Sequence, residues 1–182
     1  MQARLLVDLA AVAGESRVIS EAALLDPGGV GWPGRLHGPA LCVVRPANTE
    51  EVSVIARVCT AAGVPMLPQG GNTGLVGGSV PGGRDTSGDQ PRELPVIVST
   101  RRITWVDPVD ELSAQVSAGA GTTLGDVQRH ARAAGLEYGV DLASRDSATI
   151  GGTVATNAGG IRVLAYGMTR LQVTGIEAVL PD

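Results

Sequence analysis

The chain has 182 residues, a formal net charge of −4 and 43% hydrophobic residues, enough for one domain with a substantial core. Acidic and basic residues are interspersed without a basic patch, so nucleic acid is not expected as a partner, and no apolar run reaches membrane-spanning length. Aromatic residues make up only 2%, so the core must be built from Ala, Val, Leu and Ile.

Ala3 to Ala13 reads as a short helix, with Leu5, Leu9 and Val12 on one face and Gly14 as its stop. Asp8 interrupts the apolar run after Arg4, so this is no signal peptide. Positions 27 to 39 are rich in Gly and Pro and are expected to form an ordered loop. Trp32 either docks onto the domain there or stays exposed, and His37 reads as a surface histidine. Leu41 to Arg45 carries the apolar run of a buried strand, which Pro46 ends. Asn48 caps a helix, with Glu51 completing a capping-box pattern. Val52, Ile55, Ala56, Cys59 and Ala62 line one face of that helix, and Gly63 is its C′ residue. Val64 to Leu67 is the next strand. Cys42 and Cys59, the only cysteines, fall in the strand and helix of this unit. They read as buried small hydrophobes, because a disulfide framework or zinc site needs more ligands at tighter spacing. Cytoplasmic residence fits them, and no metal site is expected.

An uncharged, glycine-rich stretch, Pro68-Gln69-Gly70-Gly71-Asn72-Thr73-Gly74-Leu75-Val76-Gly77-Gly78-Ser79-Val80-Pro81, follows directly. Its place beyond a strand's carboxyl end is where α/β sheets commonly bind ligands. Glycine lets a ligand approach the backbone, and consecutive exposed N–H groups form an anion site. Asn72, Thr73 and Ser79 add side-chain donors. The stretch lacks the lysine of a Walker loop and the spacing of a Rossmann fingerprint. A mobile glycine loop is the plain alternative.

Residues 82 to 94 read as a polar, exposed excursion. Pro95 to Ser99 is a third strand. Arg101 and Arg102 either form surface salt bridges or approach a bound pyrophosphate. Ile103 to Asp107 and Ser113 to Ser117 are expected to pair as strands, with Pro108 to Glu111 as their turn. Ala118 to Gly121 make a small-residue corner. Thr123 caps a helix whose apolar face is Leu124, Val127, Ala131 and Ala134, with Gly135 as its stop and His130 facing solvent. The stretch from Ser147 to Gly160 then repeats the uncharged glycine-rich recipe, so the two runs are expected to hold one extended ligand, mainly by backbone. Gln172 to Leu180 alternates as a long strand.

The first stretch, followed by Ala148-Thr149-Ile150-Gly151-Gly152-x-x-Ala155-Thr156-Asn157-Ala158-Gly159-Gly160, resembles the FAD-linked oxidases of the vanillyl-alcohol oxidase type, with a PCMH-type FAD-binding domain. The branch it is most similar to comprises the D-lactate, D-2-hydroxyglutarate and glycolate dehydrogenases. The resemblance runs from about Leu41 to Asp182. It implies an α+β, two-subdomain fold: a small βαβ subdomain and a larger mixed or antiparallel sheet with helices, C-terminally truncated. The implied segments are an entry region at 1–40 and FAD-binding subdomains at 41–100 and 101–182. Cofactor contacts are implied at Pro68, Gly70, Gly71, Asn72, Thr73, Gly74, Gly78 and Ser79 in the first run. In the second run they are implied at Ser147, Ile150, Gly151, Gly152, Thr156, Asn157 and Gly160, and further on at Gly167 and at the backbone of Val179. Positions 141 to 144 belong to the same approach. Two departures, Thr153 where the family often has Asn and Ala165 where it often has a basic residue, concern contacts near the flavin ring.

By the same resemblance the cofactor is FAD. It is expected to be non-covalent, because no His or Cys occurs from Pro65 to Pro81 to carry a covalent link. The implied reaction moves a hydride from the α-carbon of a D-2-hydroxy acid to flavin N5, leaving a 2-oxo acid. The base, the carboxylate contacts and any metal are implied in a separate substrate domain absent from this chain. No catalytic residue is therefore assigned, and the chain alone is expected to be inactive. A same-fold oxidase of an alcohol or sugar lactone, or a non-catalytic nucleotide-binding module, are the alternatives.

Overall fold

The computed structural model describes residues 2–20, 38–82 and 94–181. The expectations for Trp32, His37 and most of the polar excursion lie outside these residues. The chain forms two compact units, Met1–Arg102 with Ala178–Asp182, and Ile103–Glu177. Among the described residues no helix is long and apolar enough to cross a membrane.

The first unit holds α1 (Gln2–Ala13), β1 (Val18–Ile19), β2 (Cys42–Val44), α2 (Thr49–Ala61), β3 (Met66–Gln69) and β4 (Val96–Ser99). Its sheet has the order β1-β2-β4-β3. Strands β2, β4 and β3 run parallel, and β1 pairs antiparallel with β2. The β2–α2–β3 crossover therefore leaves a gap that β4 fills, with Ile97 facing Val43 on one side and Leu67 on the other. Every residue of β4 is buried, as a central parallel strand covered on both faces requires. Side chains alternate between faces. Cys42, Val44, Val96 and Val98 meet Leu5 and Leu9 of α1 and Ile55 and Cys59 of α2, while Val43 and Ile97 pack with Ala40 in a second cluster. Helix α1, read as part of an entry region, thus supplies this core.

Local chemistry sets the boundaries. Gly14 ends α1 at φ 93°, its N–H bonded to Ala10 O at 2.8 Å. Asn48 Oδ1 accepts the Glu51 N–H at 2.8 Å. The return arm of the capping box reaches one residue further back than the pattern implies, from the Ala47 N–H to Glu51 Oε2 at 2.8 Å. Strand β3 begins at Met66 rather than Val64, because the Val64 N–H is still held by Cys59 O at 3.0 Å at the exit of α2.

Both cysteines are free and buried. Burial pushes the Cys42 thiol up to about 12, with the neighbouring Cys59 adding to it, and burial alone raises Cys59 to about 11. Since both folded-state values lie above the ordinary 9.0, their contribution to stability is complete below that pH and is lost as pH climbs through the folded values. The expected result is resistance to iodoacetamide in the folded chain, rapid alkylation in urea, and an alkaline loss of stability that Cys42→Ala reduces. Equal alkylation rates in the two states would contradict the burial.

The second unit carries α3 (Leu124–Ala133), α4 (Ile150–Thr156), α5 (Val163–Tyr166) and α6 (Thr169–Gln172). The two expected strands before α3 form an antiparallel hairpin, bridged at Val106↔Ala118 and Asp110↔Gln115. Its reversal lies at Glu111–Ala114, later than Pro108–Glu111. Asp110 Oδ1 draws the chain back by accepting the N–H groups of Leu112 at 3.0 Å and Ser113 at 3.3 Å, and Ala114 takes φ 54°. His130 is not merely solvated, since its Nε2 lies 2.8 Å from Asp107 O and ties α3 to the hairpin. The long strand expected over Gln172–Leu180 does not form among the described residues. Instead Thr169–Gln172 is helical. Thr169 is fully buried, and its N–H and hydroxyl both donate to Ala158 O, at 3.0 and 2.7 Å. Beyond Gln172 the alternating residues have no partner strand among the described residues, and alternation signals a strand only where one is present.

Candidate functional site

The first glycine-rich run leaves β3 as an irregular loop, closed by its own side chains. Buried Gln69 donates from Nε2 to Ser79 O at 2.8 Å, and the Ser79 hydroxyl donates to Asn72 Oδ1 at 2.8 Å. Asn72 takes φ 55°, a left-handed conformation that Asn tolerates better than most residues. From outside, Arg101 Nη2 donates to Gly71 O at 3.2 Å. Pro68 is exposed at the end of β3, and Gly70, Gly71 and Thr73 are half-buried. Across this closed loop the one backbone bond among the described residues runs from the Val80 N–H to Gly77 O at 3.1 Å. The N–H groups from Thr73 to Ser79 thus have no acceptor among the described residues.

Two glycines of the loop have no internal reason to be glycine. A Cβ added at Gly74 or Gly78 would meet nothing within 4 Å, and neither residue has a positive φ. Close approach by something outside the chain is a sufficient reason. Beside them Leu75 and Val76 are 65% and 81% exposed. Donors beside apolar surface suit a ligand with an anionic part and a flat apolar part. FAD, with a diphosphate and an isoalloxazine, fits that donor set.

The second run is built differently. It folds as α4, not as a glycine loop. Thr149 is its N-cap and accepts the Gly152 N–H at 3.4 Å. The other N–H groups of its first turn are also engaged: Ile150 with Thr122 O at 2.9 Å, Gly151 with Ala120 O at 2.9 Å, and Thr153 with Thr149 O at 2.9 Å. Gly151 is required by packing, since a Cβ there would lie 2.8 Å from that of Ala120. The Thr156 hydroxyl turns back to Gly152 O at 2.8 Å. Asn157 ends the helix at φ 47°, and its Oδ1 accepts the Arg170 N–H at 2.9 Å. Gly160 bridges to Asp141, Gly167 separates α5 from α6, and Ser147 is exposed ahead of α4. Val179 lies in the segment Ala178–Asp182 counted with the first unit. The expectation of a second cradle of outward-pointing amides therefore fails at the first turn of α4, where capping and neighbouring carbonyls use those donors.

Sequence reasoning missed two residues that shape these segments. Gln69 holds the first loop, together with Arg101. Buried Gln128 donates to Val140 O at 2.9 Å and to Asp141 Oδ1 at 3.3 Å, while Arg145 pairs with Asp141 at 2.8 Å. An isolated polar residue carries no local signal for such a role, because its partners are set by which strands and loops become neighbours. Arg102 makes no surface salt bridge among the described residues and donates to Arg45 O at 2.6 Å. A groove of about 450 Å3 in the second unit includes Asn157 together with Val154 and Arg170. A larger groove, about 570 Å3 beside α3, contains none of the expected cofactor residues. Among the described residues no three His, Cys, Asp or Glu side chains cluster as a metal site.

The family described as "FAD binding domain" matches residues 40–182. The chain belongs to that family. FAD is its cofactor. This flavin domain is 37% identical over 166 residues to the mitochondrial D-2-hydroxyglutarate dehydrogenase of Bos taurus, covering 91% of this chain and 29% of that protein. It is 36% identical over 163 residues to the D-2-hydroxyglutarate dehydrogenase of Xanthomonas citri, covering 90% and 32%. Among solved structures an alkyldihydroxyacetonephosphate synthase matches with a TM-score of 0.85 at 20% identity, covering 98% of this chain and 33% of that one. At that identity the likeness is one of fold, and it places the chain in the PCMH-type FAD-binding fold. The chain spans under a third of the length of the curated relatives it matches.

Proposed function

We propose that this flavin domain belongs to an oxidoreductase that converts a D-2-hydroxy acid to a 2-oxo acid, with D-2-hydroxyglutarate the first substrate to test. The 37% identity to a protein named for that activity carries the reading. When bound, FAD supplies the two-electron chemistry, and the protein's part is to position it. The loop after β3 would hold the diphosphate through the N–H groups of Thr73 to Ser79, kept in shape by the Asn72–Ser79 pair. Side chains and exposed edges of α4, with Asn157, would add contacts from the second run, and the Val179 backbone would lie beside the adenine. In this reading 41–100 and 101–182 act as the two FAD-binding subdomains, preceded by the entry region. No residue of this chain is assigned to proton transfer. The base and the substrate-carboxylate contacts are placed in the larger part of the relatives' length that this chain does not match.

For residence we propose the cytoplasm, which the two free buried thiols support. The cattle relative is named mitochondrial and the Xanthomonas citri relative is not, so fractionation of the source cells is the test. The test of function is a substrate screen of the longer polypeptide with a dye acceptor. D-2-hydroxyglutarate is expected to reduce the dye, and the 182-residue chain alone is expected to give no turnover. Reduction by a sugar lactone or a simple alcohol alone would replace the assigned substrate class. Acid or denaturant is expected to release all of the flavin, since the loop offers no His or Cys for a covalent link. Colour left on the denatured protein would contradict that.

A further inference from the structure

We propose that Arg101 is the counter-charge of the glycine-rich loop, a positioning residue that fixes Gly71 and keeps a guanidinium beside the bound dinucleotide. The proposal rests on the FAD reading above. The loop from Pro68 to Pro81 contains no charged residue of its own, yet a dinucleotide diphosphate carries about two negative charges, which oriented amides offset only in part. The short helical turn Thr100–Arg102, directly after β4, brings Arg101 to the loop. There its Nη2 donates to Gly71 O at 3.2 Å. Just before it, the Thr100 hydroxyl lies 3.5 Å from Gln69 O, and Gln69 reaches across to Ser79 O at 2.8 Å. One end of β4 thus touches the loop's entrance directly and its exit through Gln69.

Arg101 is suited to the task because, among the described residues, its side chain is engaged only with Gly71. It is exposed and makes no ion pair with a carboxylate among the described residues, whereas Arg129, Arg145 and Arg162 each pair with one. A guanidinium has five donors in a fixed fork. The bond to Gly71 uses one of them and leaves the others, and the full charge, for an anion. Arg102, its neighbour, is turned away to Arg45 O at 2.6 Å. The two adjacent arginines therefore have separate jobs, one on the loop and one on the end of β2.

The test is FAD titration of the 182-residue chain and its Arg101→Gln, Arg101→Lys and Arg57→Gln variants across a range of salt, with melting of each FAD-free protein. Arg57 lies on α2 and bonds only Ser53 among the described residues, so Arg57→Gln matches the change in charge away from the loop. Arg101→Gln is expected to raise the FAD Kd about 10-fold at low salt, the loss of one charge-assisted contact. It should also remove much of the salt dependence, since an exposed charge is screened as ionic strength rises. Arg101→Lys is expected to restore the salt dependence but not the full affinity, because an ammonium lacks the fork. Arg57→Gln should match the parent in both. Equal affinity and equal salt dependence in Arg101→Gln would overturn the proposal while leaving the FAD reading intact. Lower melting in Arg101→Gln without rescue by lysine would overturn it in favour of a structural role. Failure of the parent chain itself to take up FAD would overturn the FAD reading, and this proposal with it.

Discussion

Gly78→Val is expected to weaken FAD binding by about 10- to 100-fold while leaving the melting temperature of the FAD-free chain unchanged. The two halves of that result have separate causes. In the chain itself a Cβ at Gly78 meets nothing within 4 Å and the backbone is not left-handed, so the folded state has no steric reason to object. With the dinucleotide in place, the added methyl groups occupy the space through which the ligand reaches the loop's N–H groups. Losing one charge-assisted hydrogen bond, at roughly 1.5–3 kcal/mol, corresponds to that range, at about 1.4 kcal/mol per tenfold. Gly74→Val should behave alike. Flavin fluorescence titration reads the first half and thermal melting the second. Undiminished FAD binding in both variants would mean that the ligand does not approach this loop.

Gly160→Ala has the opposite signature. The added Cβ would clash with the Asp141 carbonyl oxygen, far inside van der Waals contact distance, and φ at this residue is +111°. Relief of the clash must move a bridge that the Ile161 N–H closes onto Asp141 O at 3.0 Å. It would also disturb a buried carboxylate held by Gln128 and Arg145. Overpacking costs about 1–3 kcal/mol and a non-glycine residue in a sparsely populated region about as much again. A destabilisation of about 3 kcal/mol or more follows, which for a chain of this size lowers the melting temperature by roughly 6–12 °C. The loss should be present without FAD. A Gly160→Ala chain that melts with the parent would show that the bridge at Asp141 carries no stability. Gly78 and Gly160, both expected to be cofactor residues, are thus separated by where their defects appear, one in the ligand-bound state and the other in the FAD-free fold.

Most elements with their own local signals are legible in the order of residues alone. Helix α2 carries Asn48 at its start and Gly63 at its end, and α3 carries Thr123 and Gly135, because a cap is a contact between near neighbours in sequence. The buried runs of β2 and β4 are likewise visible as apolar residues without alternation. The errors come where a local pattern has to compete with a distant partner. Asp110 moves the hairpin turn by capturing the amides beyond it. The alternating segment from Gln172 onward has no partner strand among the described residues, and Gln172 instead closes the helix that buried Thr169 begins. The second glycine-rich run looks like the first in composition, but Ala120 O, Thr122 O and Thr149 stand where its first-turn amides would otherwise be free.

By itself the amino-acid sequence determined the motif class and the uncharged character of the loop, since these depend on residue types at fixed spacing, and the resemblance carried by those motifs implied FAD. Tertiary structure alone decided which glycines face open space and which are wedged against a carbonyl or a methyl group. It also decided that β4 enters between β2 and β3, bringing Arg101 to Gly71, which lies 30 positions earlier in the chain. The physical reason is common to both. Steric room and hydrogen-bond partners depend on atoms close in space, and the neighbours that supply them are far apart along the chain.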